Sequence, residues 1–296
     1  MLHNTVHTKK FVNNWKKIVA RFYNYEEYMD YLIIPSLSKK NTLSYLPLLN
    51  YTDRLSNDTL DLLELSKNNQ YQIRVLNSEY TDFKDYDTVT MRLDISCYDS
   101  DKVFNEIIQS KCRNQIRKSK KSNLEIKFGN VELLNDFYML FFNTMHKYGT
   151  PVLSQKLFES ILLNMDSSLI IVYKDNIPIA GLLLMIDNDI AIVPWAASDS
   201  KYNKHCPNHL AYFSAIEYAI GNKCKIFDFG RSGYNTSPTF SFKKQWGSQP
   251  VKIDIISSEK NDIYSKYEFA SKIWIKLPRS IVNFIGPRLC KYLVDL

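Results

Sequence analysis

Residues 189–230 read DIAIVPWAASDSKYNKHCPNHLAYFSAIEYAIGNKCKIFDFG. Apolar residues dominate 189–198 and 224–230 in short β-type runs. Between them, HLAYFSAIEYAIGN has the length and apolar content of a buried helix. Asn208 stands where a helix cap is expected. A strand, a helix and a second strand in this order place two parallel strands in one sheet. The chain is therefore expected to be α/β with a mixed sheet.

Outward from this unit the pattern stays β. SLIIVYK (168–174) and IPIAGLLLMI (177–186) flank Asp175-Asn176, a hairpin signal. PVKIDII (250–256) reads as the last strand. Before the hairpin, Leu134, Phe137, Tyr138, Phe141 and Met145 keep helical core spacing, and GTP (149–151) ends that helix. Residues 101–121 are expected to form one helix with Phe104, Ile107, Ile108 and Ile116 buried and Arg113 and Arg117 sharing a face. Eight Lys/Arg against three Asp/Glu fall between 101 and 127. The first hundred residues mix short elements. WKKIVARFYNYEEYMDYLI is helical in character and LSYLPLL resembles a strand. TLDLLELSKNN (59–69) reads as a helix, and QYQIRVL and TVTMRLDIS read as strands. From about 263 the chain turns amphipathic. Trp274, Ile281, Phe284 and Ile285 lie among Lys276, Arg279 and Arg288, with Pro278 and Pro287 expected to break the helix.

Composition narrows the class. Of 296 residues, 45% are hydrophobic and 23% charged, which suits a packed globular chain rather than a disordered one. The net charge of +7 favours phosphate-bearing or membrane-surface partners. The five cysteines (97, 112, 206, 224 and 290) are scattered and odd in number, which points to a reducing compartment. The first twenty residues hold four lysines and no long apolar run, so no secretory signal is expected. The expected location is cytoplasmic, at the inner face of a membrane if the tail touches one. HCPNH (205–209) groups ligand-type side chains, but Pro207 keeps the two histidines off one helical face, and no metal site is expected. His146, on the helix before GTP, is a candidate base, with an exposed helical residue as the plainer expectation.

The segment DFGRS…TFSFKKQWG (228–247) concentrates polar chemistry. Asp228 ends a predicted strand, where ligands of α/β sheets gather. Asp228 and Arg231 can pair with each other. Arg231 is also suited to grip an oxyanion, phosphate or carboxylate as a fork, and Lys243 as a point charge. Ser232 adds a donor, and Phe240, Phe242 and Trp246 would exclude water.

Taken in order, RNQIRK (113–118), GTP, PIAGLLL, the Trp195 strand end, Pro207-Asn208 and DFGRS…FKKQWG resemble the FemAB-like branch of the GNAT acyltransferase superfamily. The resemblance is to FemAB-related proteins of bacterial exopolysaccharide and protein-sorting loci. It covers roughly residues 70 to 290, and DFGRS followed by FKxxWG is its most specific part. It implies two tandem GNAT-like lobes: a shortened one over 1–100 and an acyltransferase lobe over 101–262, followed by a helical tail over 263–296. It also implies transfer of an acyl or aminoacyl group onto an amine of a cell-envelope or peptidoglycan-type precursor. Asp228 would bind or deprotonate the amine, while Arg231 and Lys243 would stabilise negative charge. Trp195, Tyr202, Asn208, Ser232, Phe242 and Trp246 would line the cleft, and Arg113 and Arg117 would meet donor or acceptor phosphates.

The chain departs from the family in one respect that bears on the donor. GNAT enzymes hold the CoA pyrophosphate on a Gly-rich turn at a helix N-terminus. The only close glycine pair here, Gly230 and Gly233, lies in the DFGRS stretch instead. No tightly held cofactor is expected, and the donor is aminoacyl-tRNA or an acyl thioester. The acceptor is an amine, lipid-linked in one version of the expectation, with peripheral membrane contact through the tail. Two alternatives stand beside this reading. One is an acetyl-CoA-dependent N-acetyltransferase acting on a small amine or amino sugar. The other is a non-catalytic module binding an anionic polymer or membrane surface.

Overall fold

The computed structural model describes residues 7–28, 31–36, 40–51, 70–96, 99–258 and 270–293. The helix expected at 59–69 and residue Cys97 lie outside them. In the N-terminal part the chain forms α1 (Lys9–Tyr23), β1 (Glu26–Tyr28), β2 (Tyr31–Ile34), β3 (Thr42–Ser44), β4 (Gln70–Asn77) and β5 (Thr88–Asp94). There follow α2 (Ser110–Lys120), β6 (Glu125–Gly129), α3 (Leu134–Tyr148), α4 (Gln155–Asn164), β7 (Ser167–Lys174), β8 (Ile177–Asp187) and β9 (Ile190–Ser198). Last come α5 (Pro207–Gly221), β10 (Ile226–Gly233), α6 (Pro238–Lys244), β11 (Gln249–Ser257) and α7 (Arg279–Leu289).

The strands form one mixed sheet in the order β1-β2-β3-β4-β11-β5-β10-β9-β8-β7-β6. The pairs β3–β4 and β9–β10 are parallel, so the expected mixed, partly parallel α/β sheet is what the chain forms. The boundary expected at residue 100 runs through this sheet, because β5 lies between β10 and β11.

Side-chain alternation along the strands builds two large cores, beside a smaller cluster of Tyr31, Leu43, Ile73 and Val75. Leu169, Ile171 and Tyr173 of β7 join Trp15, Phe137, Phe141 and Phe158 from α1, α3 and α4 on one face. Ile170 and Val172 join Cys112, Ile116, Leu210 and Phe213 from α2 and α5 on the other. Helices cover both faces, which is why the central strands are apolar on both sides. The β7–β8 hairpin turns on Asp175 and Asn176, both left-handed at φ 52 and φ 63, as the sequence signal requires.

Several elements differ from the sequence reading. α1 stops at Tyr23 because Asn24 takes a left-handed cap, and the acidic and aromatic residues after it become β1 and β2. In LSYLPLL only the first residues pair as a strand; 45–50 form bends and turns. The helix expected over 101–121 is broken. Asp99 caps a short turn at 100–102, Val103–Ile107 form a wide π-type turn, and Ile108 is extended before α2 starts. Pro287 does not break the tail but lies inside α7.

Candidate functional site

β9 and β10 are paired over only three positions, Ile190↔Ile226, Ala191↔Phe227 and Ile192↔Asp228. Beyond them each strand keeps its outer neighbour. β9 stays on β8 through Trp195↔Leu183 to Ser198↔Ala180. β10 stays on β5 from Arg231↔Thr90 to Gly233↔Thr88. The two parallel strands therefore part into a wedge whose walls are residues 193–198 and 229–233. Each wall carries a local register slip. β9 slips against β8 between Leu183 and Met185, where Pro194 lacks an N–H. β10 slips against β5 between Asp228 and Arg231, with Gly230 at φ +80.

The N-terminus of α5 is tied to the open end of β9, since Asn208 Nδ2 donates to Ser198 Oγ at 2.9 Å. Asn208 does not cap α5. The cap position is Cys206, left-handed at φ 56, with Pro207 following. Pro207 has no N–H, and the His209 and Leu210 N–H groups return to the Cys206 carbonyl. Three of the first four residues of α5 thus offer no N–H to an anion. Tyr202 sits on the 3-10 turn Ser200–His205 before this end and packs on the α5 side of the sheet.

Lys243 projects from α6 toward the β10 slip. Its Nζ donates to the carbonyls of Gly230 (2.9 Å) and Arg231 (2.8 Å). Burial pushes its pKa down to about 7, with Arg231 adding to the shift and Asp228 opposing it. Arg231 is half-buried and stands on β10 itself, not in a loop. Ser232 is buried, with its hydroxyl 3.2 Å from Thr239 Oγ1.

Asp228 does not pair with Arg231. It points to the opposite face of β10 from Phe227 and Phe229, into a closed network. Oδ1 accepts from the Thr90 hydroxyl (2.5 Å) and the Gly230 N–H (2.7 Å). Oδ2 accepts from the Tyr51 hydroxyl (2.7 Å) and Arg92 Nε (3.1 Å). All four acceptor positions of the carboxylate are occupied and its burial is complete, so no oxygen faces an amine. Burial, then Asp228, raises the Tyr51 pKa well above the phenol range. Burial opposes the Arg92 charge, yet Tyr51 and Asp228 outweigh it and raise its pKa.

The aromatic residues also separate. Trp246 is fully buried in the α5-side core, 5.9 Å from His209 and from Phe229 between ring centres, so it is a core residue and not a cleft wall. Half-buried Phe242 is 6.1 Å from it. Burial lowers the His209 pKa to about 4. Trp195 lies on the other face, stacked on Trp15 at 6.1 Å and edge-on to Phe158 at 5.1 Å. Alternation along β9 accounts for that separation. Arg113 is spent on the break before α2, donating to the carbonyls of Asn105 (2.9 Å) and Ile108 (2.6 Å). Exposed Arg117 lies over the Phe104 ring at 5.1 Å.

The sequence reading missed Tyr51, Thr90 and Arg92. The available signal was Arg92 itself, a lone cation inside the apolar-flanked strand TVTMRLDIS. Among the described residues no group of His, Cys, Asp and Glu is arranged to hold a metal ion.

Residues 110–244 match the acetyltransferase (GNAT) domain family. No curated protein matches the chain in sequence. A crystal structure of FemX shares 15% identity at a TM-score of 0.63, covering 90% of this chain and 94% of that one. L-PGS from Bacillus licheniformis shares 7% identity at 0.58, covering 92% and 98%. A C-terminal domain from Agrobacterium fabrum, described as that of a lysylphosphatidylglycerol synthetase, shares 9% identity at 0.58, covering 88% and 96%. Residues 110–244 are thus similar to the acetyltransferase (GNAT) domain family, and the chain shares its fold with FemX.

Proposed function

We propose that this protein transfers an aminoacyl group from aminoacyl-tRNA onto an amine of a cell-envelope precursor, in the wedge between β9 and β10. The wedge is the observation that carries the reading. It opens backbone donors of 193–198 to a reacting carbonyl beside the buried Lys243 ammonium. In the transfer the amine nitrogen bonds to the acyl carbon and the ester C–O bond breaks. The proton lost by the amine goes to the departing ribose oxygen. Charge that builds on the carbonyl oxygen is met by backbone N–H groups of the β9 wall. Arg231 takes the negative charge of phosphate or carboxylate. Lys243 holds the β10 slip in shape and adds positive potential. Tyr202, Asn208, Ser232 and Phe242 border the bound substrates. Asp228 is a positioning residue that fixes β10 against β5. The likeness in fold to FemX and to a domain named for lysylphosphatidylglycerol synthesis supports a cell-envelope acceptor.

The withdrawn N–H groups at the start of α5 favour tRNA over CoA, because a pyrophosphate lacks its usual backbone cradle there. The acetyltransferase description of the matched family favours the second reading, an acetyl-CoA-dependent N-acetyltransferase. Purified protein given radiolabelled aminoacyl-tRNA and a UDP-linked muropeptide amine, or acetyl-CoA and the same amine, separates the two. Label transfer from tRNA alone is the expected result. Turnover with acetyl-CoA and none with tRNA overturns the first reading. Salt-sensitive RNA binding with no product from either donor overturns both.

A further inference from the structure

Segment 270–293 is pinned to the body along its inner side. Val282, Gly286 and Cys290, four residues apart, are buried. A side chain at Gly286 would meet Val152 N at 3.1 Å, and Cys290 Sγ lies 3.3 Å from the Val152 carbonyl. Trp274 and Leu277 pack on the core, and a His146 ring nitrogen lies 3.2 Å from the Leu277 carbonyl. The docking is specific, and it fixes which side faces outward.

That outer side is unlike the rest of the surface. Ile273 (50% exposed), Ile275 (47%), Ile281 (40%), Phe284 (63%) and Tyr292 (36%) are exposed along the segment. They are five of the fifteen large hydrophobic side chains that the described residues leave exposed. Lys272, Lys276, Arg279, Arg288 and Lys291 lie among them, and the segment contains no Asp or Glu. The Arg288 guanidinium sits 3.8 Å over the Phe284 ring. Apolar side chains interleaved with cations on a docked segment combine insertion at the acyl boundary with attraction to phosphate. No helix among the described residues is long and apolar enough to cross a membrane, so the segment would lie along the surface. A second copy of the chain is a poor fit, because a two-fold contact would bring like charges together. Nucleic acid would leave the isoleucines uncovered.

We propose that the outer face of segment 270–293 docks on the headgroups of an anionic phospholipid bilayer. This rests on the surface alone and is independent of the transfer reaction. The test is co-flotation of the full chain with vesicles, without donor or acceptor. Vesicles of phosphatidylcholine with about one-third phosphatidylglycerol should carry the protein, and pure phosphatidylcholine vesicles should carry at least tenfold less. The double variants Ile281→Ser/Phe284→Ser and Arg279→Glu/Arg288→Glu change exposed positions. Each should float roughly tenfold less while melting within a few degrees of wild type. Wild-type protein that ignores anionic vesicles, or binds both compositions alike, overturns the proposal. So does either double variant floating as well as wild type. Sedimentation showing a dimer that both variants dissociate, with no vesicle binding, assigns the face to self-association instead.

Discussion

Arg92 and Asp228 are direct register partners across the β5–β10 ladder, and they form an ion pair at 3.1 Å with neither side chain exposed. The pair joins a strand from the first hundred residues to the strand that forms one wall of the wedge. Tyr51 closes it from a third part of the chain, donating to Asp228 and accepting from Arg92 Nη2 at 2.8 Å.

Removing one partner of such a pair leaves the other charge buried and uncompensated. Arg92→Leu should lower unfolding free energy by about 3–5 kcal/mol in urea denaturation. The double variant Arg92→Leu/Asp228→Leu should recover part of that loss. A loss below about 1 kcal/mol in Arg92→Leu would show that water or a rearranged partner compensates the carboxylate.

Lys243 makes stability rise with pH. Its folded pKa of about 7 lies below the ordinary 10.5, so between those values the unfolded chain binds the extra proton. Wild-type protein should gain stability relative to Lys243→Met as pH rises from 7 toward 10, and the difference should be flat below 7. If transfer needs the ammonium form, activity should fall as pH passes upward through about 7. A stability difference that declines over the same range reverses the sign and removes the case for a depressed pKa.

Gly230 lies at the point where the strands separate. A Cβ there would lie 2.9 Å from the Val193 carbonyl, and the backbone is left-handed at φ +80. Gly230→Ala should destabilise the fold by about 1–2 kcal/mol from the backbone alone. Because the clash is with β9 backbone, turnover should drop by more than the stability loss explains. Gly233→Ala, whose nearest contact is the Thr236 hydroxyl at 3.1 Å, is the control and should retain more activity.

Trp246 is expected to report packing and not ligand. Trp246→Ala should lower stability by about 3–5 kcal/mol, with apparent substrate constants little changed in whatever fraction folds. A large rise in substrate constant with an unchanged melting temperature would return Trp246 to the cleft.

Much of the fold was legible because it depends on neighbours in sequence. The Asp175-Asn176 turn, the β9–α5–β10 unit and the core face of α3 all follow from local period and turn chemistry. The polar cluster at 228–247 was legible as a concentration of chemistry but not as an arrangement. Asp228 and Lys243 are near in sequence, yet alternation along β10 and the return through α6 put them on different sides of that strand. The true partners of Asp228 are 136 residues away at Arg92 and 177 away at Tyr51, distances no local pattern encodes. The break at Ile108 was hidden for a different reason. Arg113, read as a ligand for phosphate, is what satisfies the carbonyls that the break exposes.

The place of β11 bears on how the chain is made. It is the last strand in chain order among the described residues, yet it lies inside the sheet, antiparallel to β4 on one side and β5 on the other. During synthesis, β4 and β5 emerge first and must wait for residues 249–257 before their facing edges are paired. Long-range pairing of this kind is slow and leaves strand edges open to wrong partners. The gap between β4 and β5 therefore closes only once residues 249–257 are available, whereas the strands that border the wedge, β9 and β10, and their neighbour β5 all precede them.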